Sequence, residues 1–154
     1  MKCRWHGISC EVDPNIVSKV DLHSNNLNGT IIPEIGQLRG LEHLALDSNH
    51  LEGRIPVEII NARKLKKVNF SNNTLVGPIP HELKHLTSIK ELDLSVNRLS
   101  SMIPSEFGAH KELEYLDLSC NSFSGELAEA FIEWNQLNFL NLSRNFFYGN
   151  TNIL

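Results

Sequence analysis

The sequence predicts a curved solenoid of the α/β type, coiled with a 24-residue period, with one parallel β-sheet on its concave face and little regular helix. Three observations carry this prediction. A single register runs from Val17 onward without insertion, its turns beginning at Val17, Leu41, Leu65, Ile89, Leu113 and Leu137. Position 4 of each turn reads Val20, Leu44, Val68, Leu92, Leu116, Leu140, and position 6 reads Leu22, Leu46, Phe70, Leu94, Leu118, Leu142, all apolar. Position 9 is asparagine throughout: Asn25, Asn49, Asn73, Asn97, Asn121 and Asn145.

Each repeated position has a physical task. Apolar residues alternating at positions 4 and 6 make a short strand with one face inward. Because each strand returns after a full coil, neighbouring strands must run parallel. Where the chain leaves the sheet its backbone groups lose their ladder partners, and an asparagine side chain supplies both a donor and an acceptor in their place. Position 11 is again apolar (Leu27, Leu51, Leu75, Leu99, Phe123, Phe147). Position 13 is glycine except at Ser101 (Gly29, Gly53, Gly77, Gly125, Gly149), which suits a tight bend. Proline follows at Pro56, Pro80 and Pro104, and one position later at Pro33, stiffening the return segment through its fixed φ. Ile35, Ile59, Leu83, Phe107 and Phe131 are expected to close the back of the core.

The stretch Leu41 to Leu51 followed by Gly53-Arg54-Ile55-Pro56 resembles the plant-specific class of leucine-rich repeats, and the Gly-x-Ile-Pro element makes the match specific. The opening Cys3-Arg4-Trp5-His6-Gly7-Ile8-Ser9-Cys10 resembles the end of the N-terminal cap that precedes such repeats in plant receptor-like kinases, receptor-like proteins and polygalacturonase-inhibiting proteins. The expected organisation is a partial cap with a cysteine pair over 1–16, then six repeats over 17–154, the last incomplete. The resemblance implies a right-handed coil, a Cys3–Cys10 disulfide, and a secreted or wall-facing location at the apoplast or the outer face of the plasma membrane. It also implies binding to a protein or peptide ligand, a co-receptor or a pathogen enzyme.

Composition narrows the function independently. Across 154 residues, 41% hydrophobic and 21% charged content is that of an ordinary globular domain. No apolar run approaches the roughly 20 residues a bilayer requires, and the first residues lack the pattern of a signal peptide. A formal net charge of −4, with Lys and Arg spread along the chain, argues against a nucleic-acid partner. Of three cysteines, Cys3 and Cys10 stand seven apart, which leaves room for one bridge, and Cys120 stands alone as a surface thiol.

His81-Glu82-Leu83-Lys84-His85 matches the H-E-x-x-H pattern of zinc proteases, whose chemistry needs both histidines on one helix face, a third ligand and a glutamate aimed at metal-bound water. The repeat explains it more simply. Glu82 holds position 18, as do Glu34, Glu58 and Glu106, and Leu83 is a core position. No catalytic residue, metal ligand or cofactor is expected. Four sequons place glycan candidates at Asn28, Asn69, Asn72 and Asn141.

The outward side chains of the concave strands do not serve the fold, so function is sought there. Position 3 passes from basic to aromatic: Lys19, His43, Lys67, Glu91, Tyr115, Phe139. Position 5 brings Asp93 and Asp117 onto neighbouring strands about 4.8 Å apart. The expected partner surface is Glu91, Asp93, Tyr115, Asp117, Phe139 and Arg144, with aromatic anchors among orienting charges. The leading expectation is a recognition module of a plant receptor-like or defence protein. The alternatives are an inhibitor of a pathogen cell-wall-degrading enzyme, an ice-binding solenoid, or a truncated receptor fragment without independent role.

Overall fold

The computed structural model describes residues 3, 5–10, 13, 15–126 and 135–149. Phe131, the expected core residue of the fifth coil, lies outside them. The concave sheet contains β1 (Ile8–Ser9), β2 (Lys19–Asp21), β4 (His43–Ala45), β6 (Lys67–Asn69), β8 (Glu91–Asp93), β10 (Tyr115–Asp117) and β12 (Phe139–Asn141), in that order. Every pairing from β2 to β12 is parallel, and every register joins residues 24 apart, such as Leu44↔Val68 and Leu92↔Leu116. A one-residue slip would turn the core residues to solvent, so burial of position 4 holds this register. Only β1 is antiparallel; it covers the free edge of β2, pairing Ile8 with Val20. Cys3 and Cys10 form a disulfide beside it, their Cα atoms 5.8 Å apart.

A second parallel sheet, absent from the sequence reading, lies where each coil leaves the concave face. It comprises β3 (Asn28–Thr30), β5 (His50–Gly53), β7 (Thr74–Gly77), β9 (Arg98–Ser101), β11 (Ser122–Glu126) and β13 (Phe146–Tyr148). Leu51, Leu75, Leu99 and Phe123 point inward from it and are buried. Position 13 has positive φ in all six coils, including Ser101 at 79°, so the serine adopts the conformation glycine takes elsewhere.

The return segments are 3₁₀ turns: Pro33–Gln37, Val57–Asn61, His81–His85 and Ser105–Ala109. Among the described residues there is no α-helix, so the α/β-type expectation is met by five-residue turns in place of a helical layer. Pro56, Pro80 and Pro104 stand just before their turns at φ between −57° and −69°, the range the proline ring fixes.

The asparagine ladder repeats one pattern between coils. Asn49 accepts from the Leu27 N–H of the preceding coil (3.0 Å) and donates to the carbonyls of Leu22, Leu46 and Asp47. Asn73, Asn97, Asn121 and Asn145 do the same one coil further on. Asn25 departs from the expectation. Standing in the first coil it has no preceding ladder to serve, so it is exposed, and among the described residues its side-chain amide donates to the His23 carbonyl.

One core position breaks its column. Position 22 carries Leu38, Ala62 and Leu86, then His110, which is 1% exposed and edge-on to Phe107 with centroids 4.9 Å apart. Its Nδ1 has no hydrogen-bond partner among the described residues. Burial holds its pKa below the ordinary imidazole value, against a smaller opposing effect of its bond to the Leu86 backbone. The unfolded chain therefore binds this proton more readily than the folded one. The stabilisation is complete above the unfolded value near 6.5 and is lost as pH falls through the lower folded value. Denaturation midpoints are expected to drop between about pH 7.5 and pH 5, and His110→Leu should remove that part of the slope. A slope unchanged by the substitution would assign the acid sensitivity elsewhere.

Candidate recognition surface

Parallel register brings the position 3 side chains into one row, Lys19, His43, Lys67, Glu91, Tyr115 and Phe139, with the position 5 side chains in a second row beside it. Between the rows lies an open groove of about 390 Å³, lined by Lys19, Asp21, His43, Ala45, Lys67, Asn69, Glu91, Asp93 and Tyr115. Ala45 is the smallest side chain in the position 5 row, whose other members carry polar groups.

Charges within the groove are partly satisfied. Lys19 pairs with Asp21 at 2.9 Å, and His23 reaches the other Asp21 oxygen at 2.7 Å. The His23 contact first, and Lys19 second, bring the Asp21 pKa down to about 2, and Asp21 in turn raises that of His23. Lys67 bridges across strands to Glu91. On the rim, Lys66–Glu42 and Lys90–Glu114 join coils in the same cross-strand way, at 2.7 and 3.0 Å.

The expected partner residues separate into groups. Tyr115 and Phe139 stack with centroids 4.4 Å apart and planes 6° from parallel, and Phe139 is 41% exposed. Asp93 lines the groove; its Oδ1 accepts from both the N–H and the hydroxyl of Ser95. Burial raises the Asp93 pKa, the Ser95 bonds oppose that rise, and neighbouring Asp117 adds to it. Burial, followed by Asp93, Asp117 and Glu91, likewise raises the Tyr115 pKa.

Asp117 departs from the expectation of an outward partner group. It is 8% exposed, with Oδ1 held by the Ser119 N–H and Oδ2 by the Asn141 amide at 3.1 Å. Its carboxylate is occupied in joining the last two concave strands. Arg144 is exposed but stands beyond β12 in the left-handed bend that position 8 adopts in every coil, at φ 55°. Sequence could not reveal that bend, because Ser24, Ser48, Asn72, Val96, Cys120 and Arg144 share no side-chain type.

The glycan candidates also differ. Asn28 is exposed on the second sheet and Asn72 is exposed in its bend. Asn69 is half-buried, accepting from the Ser71 N–H and hydroxyl, and the amide nitrogen of Asn141 is engaged by Asp117. His81 and His85 lie on a 3₁₀ turn, whose three residues per turn set side chains four apart about 120° from each other. Among the described residues no group of three or more His, Cys, Asp or Glu is placed to hold a metal ion. On the outer face of the second sheet, exposed His50, Glu52, Arg98 and Glu126 interrupt any regular threonine or asparagine row. Among the described residues no helix is long and apolar enough to cross a membrane.

Family models described as leucine-rich repeat match residues 17–38, 64–86 and 89–147. The chain belongs to the leucine-rich-repeat family. Its repeats are of the plant extracellular class, as the similarity to solved plant ectodomains shows. The BIR2 ectodomain from Arabidopsis thaliana is 31% identical at a TM-score of 0.87, over 97% of this chain and 79% of that one. The plant peptide hormone receptor RGFR1, solved in complex with RGF2, is 35% identical at a TM-score of 0.78, over 80% of this chain and 20% of that one. A plant ice-binding protein is 30% identical at a TM-score of 0.88, over 94% of this chain and 47% of that one. Leucine-rich repeat protein 1 of Arabidopsis thaliana is 43% identical over 44 residues, 29% of this chain. That match spans only 20% of the relative's length.

Proposed function

We propose that the chain is a non-enzymatic recognition module that binds a protein or peptide partner through its concave face, on the outer side of a plant cell. The observation that carries this reading is the Tyr115–Phe139 stack. Two aromatic side chains stand on the solvent side of a sheet whose opposite face already supplies the core, so the fold does not require them there. Rigid aromatic area beside a polar groove is the arrangement of a binding anchor with an orienting rim. The Cys3–Cys10 disulfide supports an oxidising compartment, and the plant peptide hormone receptor among the similar structures supports a peptide or protein as partner.

Capture from plant apoplastic extract tests the reading. A partner held by the native chain is expected to lose at least about 2 kcal/mol of binding, roughly 30-fold in Kd, on combined Tyr115→Ala and Phe139→Ala substitution. The melting temperature should stay near the native one. Binding that survives this change but disappears on replacing Lys19, His43 and Lys67 would move the site to the first three coils. A direct assay against secreted cell-wall hydrolases distinguishes an inhibitor from a receptor-type module using the same surface. Ice binding has less support, since the charged side chains on the second sheet interrupt the regular array it needs.

A further inference from the structure

We propose that the concave groove reads its partner by polarity, seating a cationic side chain, preferably an arginine guanidinium, of an extended partner segment above Asp93 and against Tyr115. This rests on the concave face being the recognition surface, and it assigns that surface a chemical rule.

The groove is electrically divided along its length. Over the first three coils the position 3 row presents Lys19, His43 and Lys67, with Asp21 beside Lys19, whereas Glu91 and Asp93 line the groove on the fourth coil and the buried Asp117 stands in register with Asp93 on the fifth. Lys67 reaches across to Glu91, but among the described residues no ion pair reaches Asp93. Its carboxylate is half-buried, beside a like charge in register at Asp117, and the hydrogen-bond donors it meets among the described residues are the neutral groups of Ser95. A cation placed there would offset both the cost of desolvation and the like-charge repulsion.

The aromatic wall selects the kind of cation. The 4.4 Å centroid separation is close to the strand spacing of about 4.8 Å, so the two rings stack along the direction in which the coils succeed one another. Phe139 on β12 covers one face of Tyr115. The other face turns toward β8, where Glu91 and Asp93 stand. A planar guanidinium can stack on that face while donating to the carboxylate below it, which a compact ammonium does less well. At the opposite end Lys19, shared with Asp21, and His43 would then favour an acidic group further along the same segment, fixing its direction in the groove.

Selection of random linear peptides on the 154-residue chain, followed by affinity measurement of the selected peptides, tests the rule. Enrichment of arginine over lysine and over neutral residues is expected. Asp93→Asn should weaken those peptides about tenfold, the range of a charge-assisted bond, while Glu52→Gln on the second sheet should change nothing. The fold should tolerate Asp93→Asn, because Asn69 already makes the same bonds to Ser71 at the equivalent position. Peptides that depend on Tyr115 and Phe139 but lack basic residues, or bind Asp93→Asn as tightly as the native chain, would overturn the polarity rule and leave the recognition reading standing. Failure to select any peptide sensitive to concave-face substitutions would overturn both.

Discussion

Asn73→Ala is expected to destabilise the protein by about 3 kcal/mol, far more than a change at either of two other asparagines. Its Oδ1 accepts from the Leu51 N–H at 2.9 Å, and its Nδ2 donates to the carbonyls of Leu46, Phe70 and Ser71 at 3.0 to 3.1 Å. Two of these partners belong to the preceding coil, so the substitution unpairs groups on both coils at once. Each buried group left without a partner costs about 1–3 kcal/mol, and such costs add incompletely. Asn25, exposed with one bond to its own coil, should tolerate alanine at a cost within about 0.5 kcal/mol.

Asn72 provides the adjacent comparison, but as Asn72→Gly. Its φ of 53° lies in the left-handed region, where alanine would add a backbone cost unrelated to hydrogen bonding. Glycine accepts that conformation, so stability should stay within about 0.5 kcal/mol of native. Urea denaturation of the three variants measures the differences. A midpoint for Asn73→Ala equal to that for Asn25→Ala would mean that the ladder does not hold the coils together.

The parts of this architecture legible in the sequence are those where one residue type performs one task in every coil. Asparagine at position 9 and paired apolar residues at positions 4 and 6 specify the concave sheet and its register. The second sheet escaped the reading because its strands carry little period-two signal. Position 11 is apolar, but a bend at position 13 follows it, and these short segments become strands through stacking on the neighbouring coil rather than through their own propensity. The left-handed bend at position 8 was hidden for a similar reason: the coil imposes a conformation on serine, valine, cysteine and arginine alike.

The recognition surface was legible as rows, and less so as accessibility. Tyr115 and Phe139 follow directly from the register. The buried Asp117 accepts from the Asn141 amide of the next strand, a side-chain contact that no spacing encodes. Lys67 belongs to the basic end by its place in the row, and its bridge to Glu91 joins the two halves of the groove.

Gly36→Ala is expected to cost about 3 kcal/mol, at the upper end for an overpacked site. A Cβ there would lie 2.1 Å from the Glu58 carbonyl oxygen and 2.8 Å from its carbon, in the next 3₁₀ turn. Both are backbone atoms, so no side-chain rotation can relieve the overlap and the two turns must move apart. Backbone conformation does not contribute, because the φ of Gly36 is not positive. Gly29→Ala supplies the opposite case: a Cβ there meets nothing within 4 Å, but φ is 85°, so its cost is conformational alone, about 1–2 kcal/mol. The difference reaches the binding surface. Concave strands are held at the spacing of their hydrogen bonds, so the separation of the return turns sets how sharply the sheet curves. Forcing the first two turns apart should tighten the curve around His43 and Ala45, leaving the Tyr115–Phe139 end, three coils away, unaltered. Chemical denaturation together with amide chemical shifts around β4 and β10 checks both parts. Native stability in Gly36→Ala, with a loss confined to Gly29→Ala, would show that the return turns do not approach as closely as Gly36 requires.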